Sequence, residues 1–132
     1  MATVRVDTPI ARPAAQAWDA VADVGRVHER LLPGRVAAAR VEGDTRILTM
    51  PDGHEVRELI LAVDHHLRRM AYAVVEGQRM PLTFHHASFQ VFTDGEQSRL
   101  VWTTDLLPDT MATLVRGVME RGIAEIRQTL EA

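Results

Sequence analysis

The chain has 132 residues, 46% of them hydrophobic and 25% charged, with a formal net charge of −3. This suits one folded domain, residues 1–132, that buries about two-thirds of its unfolded surface without staples. The acidic balance and the presence of only six aromatic residues argue against nucleic acid as a partner, and the lack of cysteine excludes disulfides, thiolate metal sites and a cysteine nucleophile.

Val4, Val6 and Thr8 alternate with Arg5 and Asp7, which predicts a first strand that Pro9 ends. The first residues lack the apolar core of a signal peptide, and no later apolar run approaches the roughly 20 residues of a membrane span. The expected location is therefore the cytoplasm. Pro13 opens a helix with Ala14, Ala17, Trp18 and Val21 on one side, since a first turn needs no N–H there. Gly25 interrupts it, and a second short helix is predicted over 26–31 before Pro33-Gly34.

Six strands follow, over 36–42, 45–50, 54–63, 69–75, 82–92 and 99–107. Gly43-Asp44, Pro51-Asp52-Gly53 and Thr93-Asp94-Gly95-Glu96 carry the turn chemistry of hairpins. Pro108-Asp109 then starts a long amphipathic helix over 109–130. Its apolar stripe is Met111, Leu114, Val115, Val118, Met119, Ile123, Ile126 and Leu130. Hairpin-linked strands imply an antiparallel sheet, and the last helix must bury its stripe against it. The fold class is α+β.

Gly122 interrupts that stripe. Glycine inside a helix costs about 1 kcal/mol relative to alanine, so its presence calls for a reason. Either the helix leaves room beneath it for a ligand, or another element approaches closely.

The landmarks Val4-Arg5-Val6-Asp7, Ala17-Trp18-Asp19-Ala20-Val21-Ala22-Asp23-Val24, Arg57-Glu58 before Asp64, Arg68-Arg69 before Tyr72, and Leu100-Val101-Trp102-Thr103 before Pro108 resemble the SRPBCC superfamily over nearly the whole chain. This superfamily includes START-like, pollen-allergen-like and polyketide cyclase/dehydratase-like proteins. The resemblance implies a helix-grip fold: a curved, seven-stranded antiparallel sheet around the long C-terminal helix, with two short helices after the first strand. It also implies an apolar ligand cavity between sheet and helix.

Alternation in the last strand puts Leu100, Trp102, Thr104 and Leu106 on one face, and Arg99 with Asp105 on the other, so Trp102 is expected inward. By the same count His85 and Phe89 face inward and His86 outward. Inward residues can be plain core: a buried tryptophan needs no site, and a core histidine can be hydrogen-bonded and idle. Tyr72 alternates with Met70 and Val74 and can project its hydroxyl into a pocket. For Arg57-Glu58 and Arg68-Arg69 the parity is open, and solvent-side ion pairs are the simpler account.

The expected wall of a binding site is Trp102, Phe89, Met111, Val115, Val118, Met119 and Gly122. His85 is the candidate proton-transfer residue, with Tyr72 or Arg57 as oxyanion stabiliser. His65-His66 and His85-His86 are adjacent pairs that diverge on a strand, so no metal site and no cofactor is expected. The partner expected is a small hydrophobic molecule bound to a monomer or homodimer. The competing readings are a carrier, a cyclase or dehydratase working in the same cavity, and a protein-interaction module with a filled core.

Overall fold

The computed structural model describes residues 1–132. In β1 (Ala2–Ile10) the residues Val4, Val6, Thr8 and Ile10 are buried in strict alternation, as expected of a strand with one wet face. Pro9 does not end this strand. It lies opposite Arg99 on an edge strand, where the missing N–H is tolerated.

Pro13 sits just ahead of α1 (Ala14–Ala22) in an extended conformation, one residue before the place expected. The helix buries Ala14, Ala17, Trp18, Ala20 and Val21. A single 3-10 turn, Val24–Arg26, leads into α2 (Val27–Arg30), shorter than the helix predicted over 26–31.

Six further strands complete one antiparallel sheet: β2 (Ala38–Glu42), β3 (Thr45–Thr49), β4 (Glu55–Asp64), β5 (Arg69–Glu76), β6 (Phe84–Asp94) and β7 (Gln97–Leu107). The spatial order is β1-β7-β6-β5-β4-β3-β2, so only the β1–β7 pairing closes over a long stretch of chain. Every other pair of neighbours is consecutive in the chain, the longest connection being the loop 77–83 between β5 and β6.

A 3-10 turn at Asp109–Met111 precedes α3 (Ala112–Glu131), which packs over β1 and β7. Val115, Met119, Ile123 and Ile126 are buried beneath it, whereas Leu114 is 47% exposed despite its place in the helical count. The far end of α3 is tied to the β1–α1 connection. There Glu131 accepts the Ala11 N–H at 2.7 Å, and Arg12 donates to the Glu131 backbone carbonyl. The architecture is the helix-grip α+β fold, and none of its helices is long and apolar enough to cross a membrane.

Candidate ligand cavity

The Pro51-Asp52-Gly53 turn sets the register of β3 against β4 and places Arg46 directly opposite Glu58. Both point inward, with side-chain exposures of 4% and 7%. Arg46 Nε donates to Glu58 Oε1 at 2.8 Å, Nη2 approaches the same oxygen at 2.7 Å, and Nη1 donates to the Val24 carbonyl at 3.3 Å. The guanidinium also lies over the Tyr72 ring, 5.5 Å from its centre. Glu58 Oε2 receives no hydrogen bond.

A bulge in β4 explains why the parity of this strand is hard to read. Val56, Glu58 and Ile60 face the core until Leu61, which is the extra residue opposite β5. Beyond it the alternation reverses, so Val63 packs on the core while Leu61 is 48% exposed. Arg57 therefore lies on the outer face, near Glu76 at 3.7 Å and Glu55 at 3.8 Å, away from any oxyanion in the cavity. Arg68 and Arg69 also stay half-exposed outside it. The inward guanidinium belongs to Arg46, which pattern reading did not single out.

Tyr72, Phe89 and Trp102 stand on the adjacent strands β5, β6 and β7 and form a stacked aromatic wall. The Phe89 and Trp102 rings are 4.7 Å apart and the Tyr72 and Phe89 rings 6.3 Å apart. The Trp102 ring reaches α3: a Cβ built on Gly122 would lie 2.9 Å from its Cζ3. Gly122 thus admits the indole edge. The alternative reading, open space beneath this glycine, is corrected: that space is occupied by Trp102.

Two adjoining chambers lie between the wall and the loops. The outer one has a volume of about 300 Å³ and the inner one about 50 Å³, and Leu32, Val36, Leu48, Glu58, Tyr72 and Trp102 line both. Arg46 and Phe89 border only the inner chamber. Val56, Val74 and Val118 extend the outer one, and His54, Gln78, Arg79 and Met80 form its rim. Of the α3 residues expected in the wall, Val118 alone lines a chamber, because α3 sits over β1 and β7 and turns Val115 and Met119 into their core. Met111 packs at the margin of that core. A groove of about 250 Å³ between α1 and the end of α3 is polar, and its arginines are already engaged: Arg12 with backbone carbonyls, Arg30 with Asp19 and Asp23.

His85 faces the outer chamber, and its Nδ1 is 2.8 Å from Gln78 Oε1. An amide oxygen only accepts, so Nδ1 carries the proton and Nε2 keeps its lone pair. Gln78 is delivered by a loop that passes tightly over the start of β4. Its preceding residue, Gly77, has φ +87°, and a Cβ there would meet the Glu55 carbonyl oxygen at 2.1 Å, so only glycine fits. Two other polar groups face inward. Burial, and then the charge of Glu58, push the Tyr72 phenol above its ordinary range, while Arg46 and the nearby Trp102 N–H oppose that rise. The Trp102 indole N–H is itself buried and completes no hydrogen bond, although the Tyr72 hydroxyl lies beside it. Two other histidines serve elsewhere: His65 accepts the Trp18 indole N–H at 3.1 Å, and His86 faces Asp105 on the outer side.

Residues 1–131 match the profile of a family described as polyketide cyclase/dehydrase and lipid transport. The chain belongs to this SRPBCC family. No functionally curated protein matches the sequence of this SRPBCC protein. Among solved structures it is similar to the Bacillus cereus protein XoxI (18% identity, TM-score 0.86, covering 99% of this chain and 94% of that one). It is also similar to a Thermobifida fusca protein (25% identity, TM-score 0.81, 98% and 93%). Norcoclaurine synthase from Thalictrum flavum, solved with dopamine and hydroxybenzaldehyde, shares the fold at 17% identity and TM-score 0.73, over 98% and 84%.

Desolvation, followed by the charge of neighbouring His86, lowers the His85 pKa from 6.5 to about 4 in this SRPBCC cavity. The histidine is therefore neutral at pH 7. As pH falls from about 6.5 towards about 4, the unfolded chain takes up a proton that the folded chain refuses. Stability should then drop by up to about 1 kcal/mol per pH unit and level off below that window. Urea unfolding at pH 7 and pH 5 measures this, and His85→Gln should lose part of the acid-side decline. An unchanged decline in that variant would mean that other groups cause it.

Proposed function

We propose that the protein binds a small, largely apolar molecule in this cavity, with its body in the outer chamber and a polar group against the inner one. The observation that carries the reading is the pairing of an apolar chamber of about 300 Å³ with a buried polar end formed by Glu58, Tyr72 and Trp102. Ligand sites are typically apolar concavities with a few convergent polar groups. The volume is about twice that of a ~150 Å³ cavity known to hold benzene, so two or three fused rings, or a short acyl chain, is the right scale. An interaction module with a filled core has no use for such a space.

N-phenyl-1-naphthylamine is a suitable probe, because it accepts energy from tryptophan. In a Trp18→Phe background Trp102 is the only donor, and saturable 1:1 quenching is expected. Val118→Phe, which fills the outer chamber from α3, should weaken binding by about tenfold, or 1.4 kcal/mol. No saturable quenching by this or comparable aromatic probes would sink the reading.

A catalytic use of the same cavity is favoured by one observation: His85 is neutral, oriented by Gln78, and offers Nε2 as a base. A cyclase or dehydratase would use it to take a proton from a carbonyl substrate while Tyr72 steadies the oxygen. A carrier would return its ligand chemically unchanged, and mass spectrometry of the bound molecule separates the two.

A further inference from the structure

We infer that the cavity selects ligands whose polar end is a hydroxyl, a phenol or alcohol, over ligands ending in a carboxylate. This rests on the cavity reading above and adds to it the chemistry of the buried end. Three facts carry it. Glu58 spends Oε1 on Arg46 and leaves Oε2 without a hydrogen bond, on the border of both chambers. Trp102, nine-tenths buried on the same border, has an indole N–H that completes no hydrogen bond, although the Tyr72 hydroxyl lies beside it. The inner chamber has a volume of only about 50 Å³.

A carboxylate oxygen open to the chamber takes a donor, and a buried N–H needs an acceptor. A hydroxyl is the smallest group that supplies both from one atom: its O–H donates to Glu58 Oε2, and its oxygen accepts from Trp102 Nε1. A ketone answers only the N–H. A carboxylate ligand meets the Glu58 charge with no free guanidinium to offset it, since Arg46 directs Nε and Nη2 at Glu58 and Nη1 at the Val24 carbonyl. An ammonium group satisfies Glu58 but leaves the Trp102 N–H unanswered and faces the Arg46 charge. The arginine in this cavity is therefore a clamp on Glu58 rather than a receptor for acids, and Glu58 is the specificity-determining residue.

The test compares naphthalene, 2-naphthol and 2-naphthoate at pH 7 as competitors of N-phenyl-1-naphthylamine. In the wild-type protein 2-naphthol should bind about tenfold more tightly than naphthalene, the scale of one hydrogen bond to a charged group, and naphthoate should bind worst. Glu58→Gln turns an amide N–H2 towards the chamber once its oxygen accepts from Arg46, so naphthoate should gain and the preference for naphthol over naphthoate should vanish. Trp102→Phe removes the N–H and also trims the indole to one ring, so its readout is the ratio of 2-naphthol to naphthalene affinity. That ratio should fall severalfold, and it stands as the test if Glu58→Gln fails to fold. Naphthoate binding as well as naphthol, or naphthalene matching naphthol, overturns the inferred selectivity while the cavity reading stands. Displacement by none of the three, with no binding of the naphthylamine itself, overturns both.

Discussion

Arg46→Met should destabilise the protein by about 3–5 kcal/mol, read as a lower urea midpoint with an unchanged slope. The cost comes less from the lost ion pair than from what remains. Glu58 has a side-chain exposure of 7% and, without Arg46, holds an uncompensated charge among Leu48, Val56 and Tyr72. The pair itself contributes little net stability, because both ions must leave water before they attract each other. Arg46→Met combined with Glu58→Leu should therefore recover most of the loss, since two apolar side chains fill the space without a stranded charge. A single Arg46→Met costing less than about 1 kcal/mol would mean that Glu58 is not held as an ion in the folded protein.

The second large effect is expected at Gly122. Even a methyl group there lies 2.9 Å from Trp102 Cζ3, so Gly122→Leu must displace the indole or lift α3 off β1 and β7. Overpacking of this kind costs about 1–3 kcal/mol, partly offset by up to about 1 kcal/mol of better helix propensity. A net loss of about 2 kcal/mol by urea unfolding is expected, with a changed near-ultraviolet circular dichroism signal from the moved tryptophan. Gly122→Ala should be nearly neutral, because the strain of shifting the ring edge by about half an ångström is offset by a gain of up to about 1 kcal/mol in helix propensity. Wild-type stability and unchanged probe affinity in Gly122→Leu would show that open space, rather than the ring, lies against this glycine.

These two sites illustrate how far pattern reading reaches. Gly122 announces itself in the sequence as an anomaly in an apolar stripe, yet the same glycine fits a hole or a close contact, and periodicity has no means to choose. Trp102 is placed correctly by alternation in β7, but that alternation does not tell how far an indole reaches across to a helix. The Arg46–Glu58 pair was closer to legible. Counting outwards from Pro51-Asp52-Gly53 puts the two residues opposite each other, and Glu58 shares its face with Val56, so a carboxylate on an apolar face was there to be noticed. The adjacent Arg57 offers a competing guanidinium, and the bulge at Leu61 makes both parities of β4 equally apolar.

The amino-acid sequence by itself determined the elements, their order and the antiparallel fold class. Those follow from local causes: a period of two or 3.6, the φ restriction of proline, and turns whose glycines admit positive φ. Turn positions also dictate hairpin register, and with it which strands neighbour each other. Only the tertiary structure decided which residues face the cavity. One bulge shifts parity along β4, and the docking of α3 over the β1 edge sends Val115 and Met119 into the core and leaves Val118 at the chamber. The rim built by His54 and Gln78–Met80 joins two turns that only folding brings together. A binding site is a relation between distant segments, and no period within one segment encodes the space that is left between them.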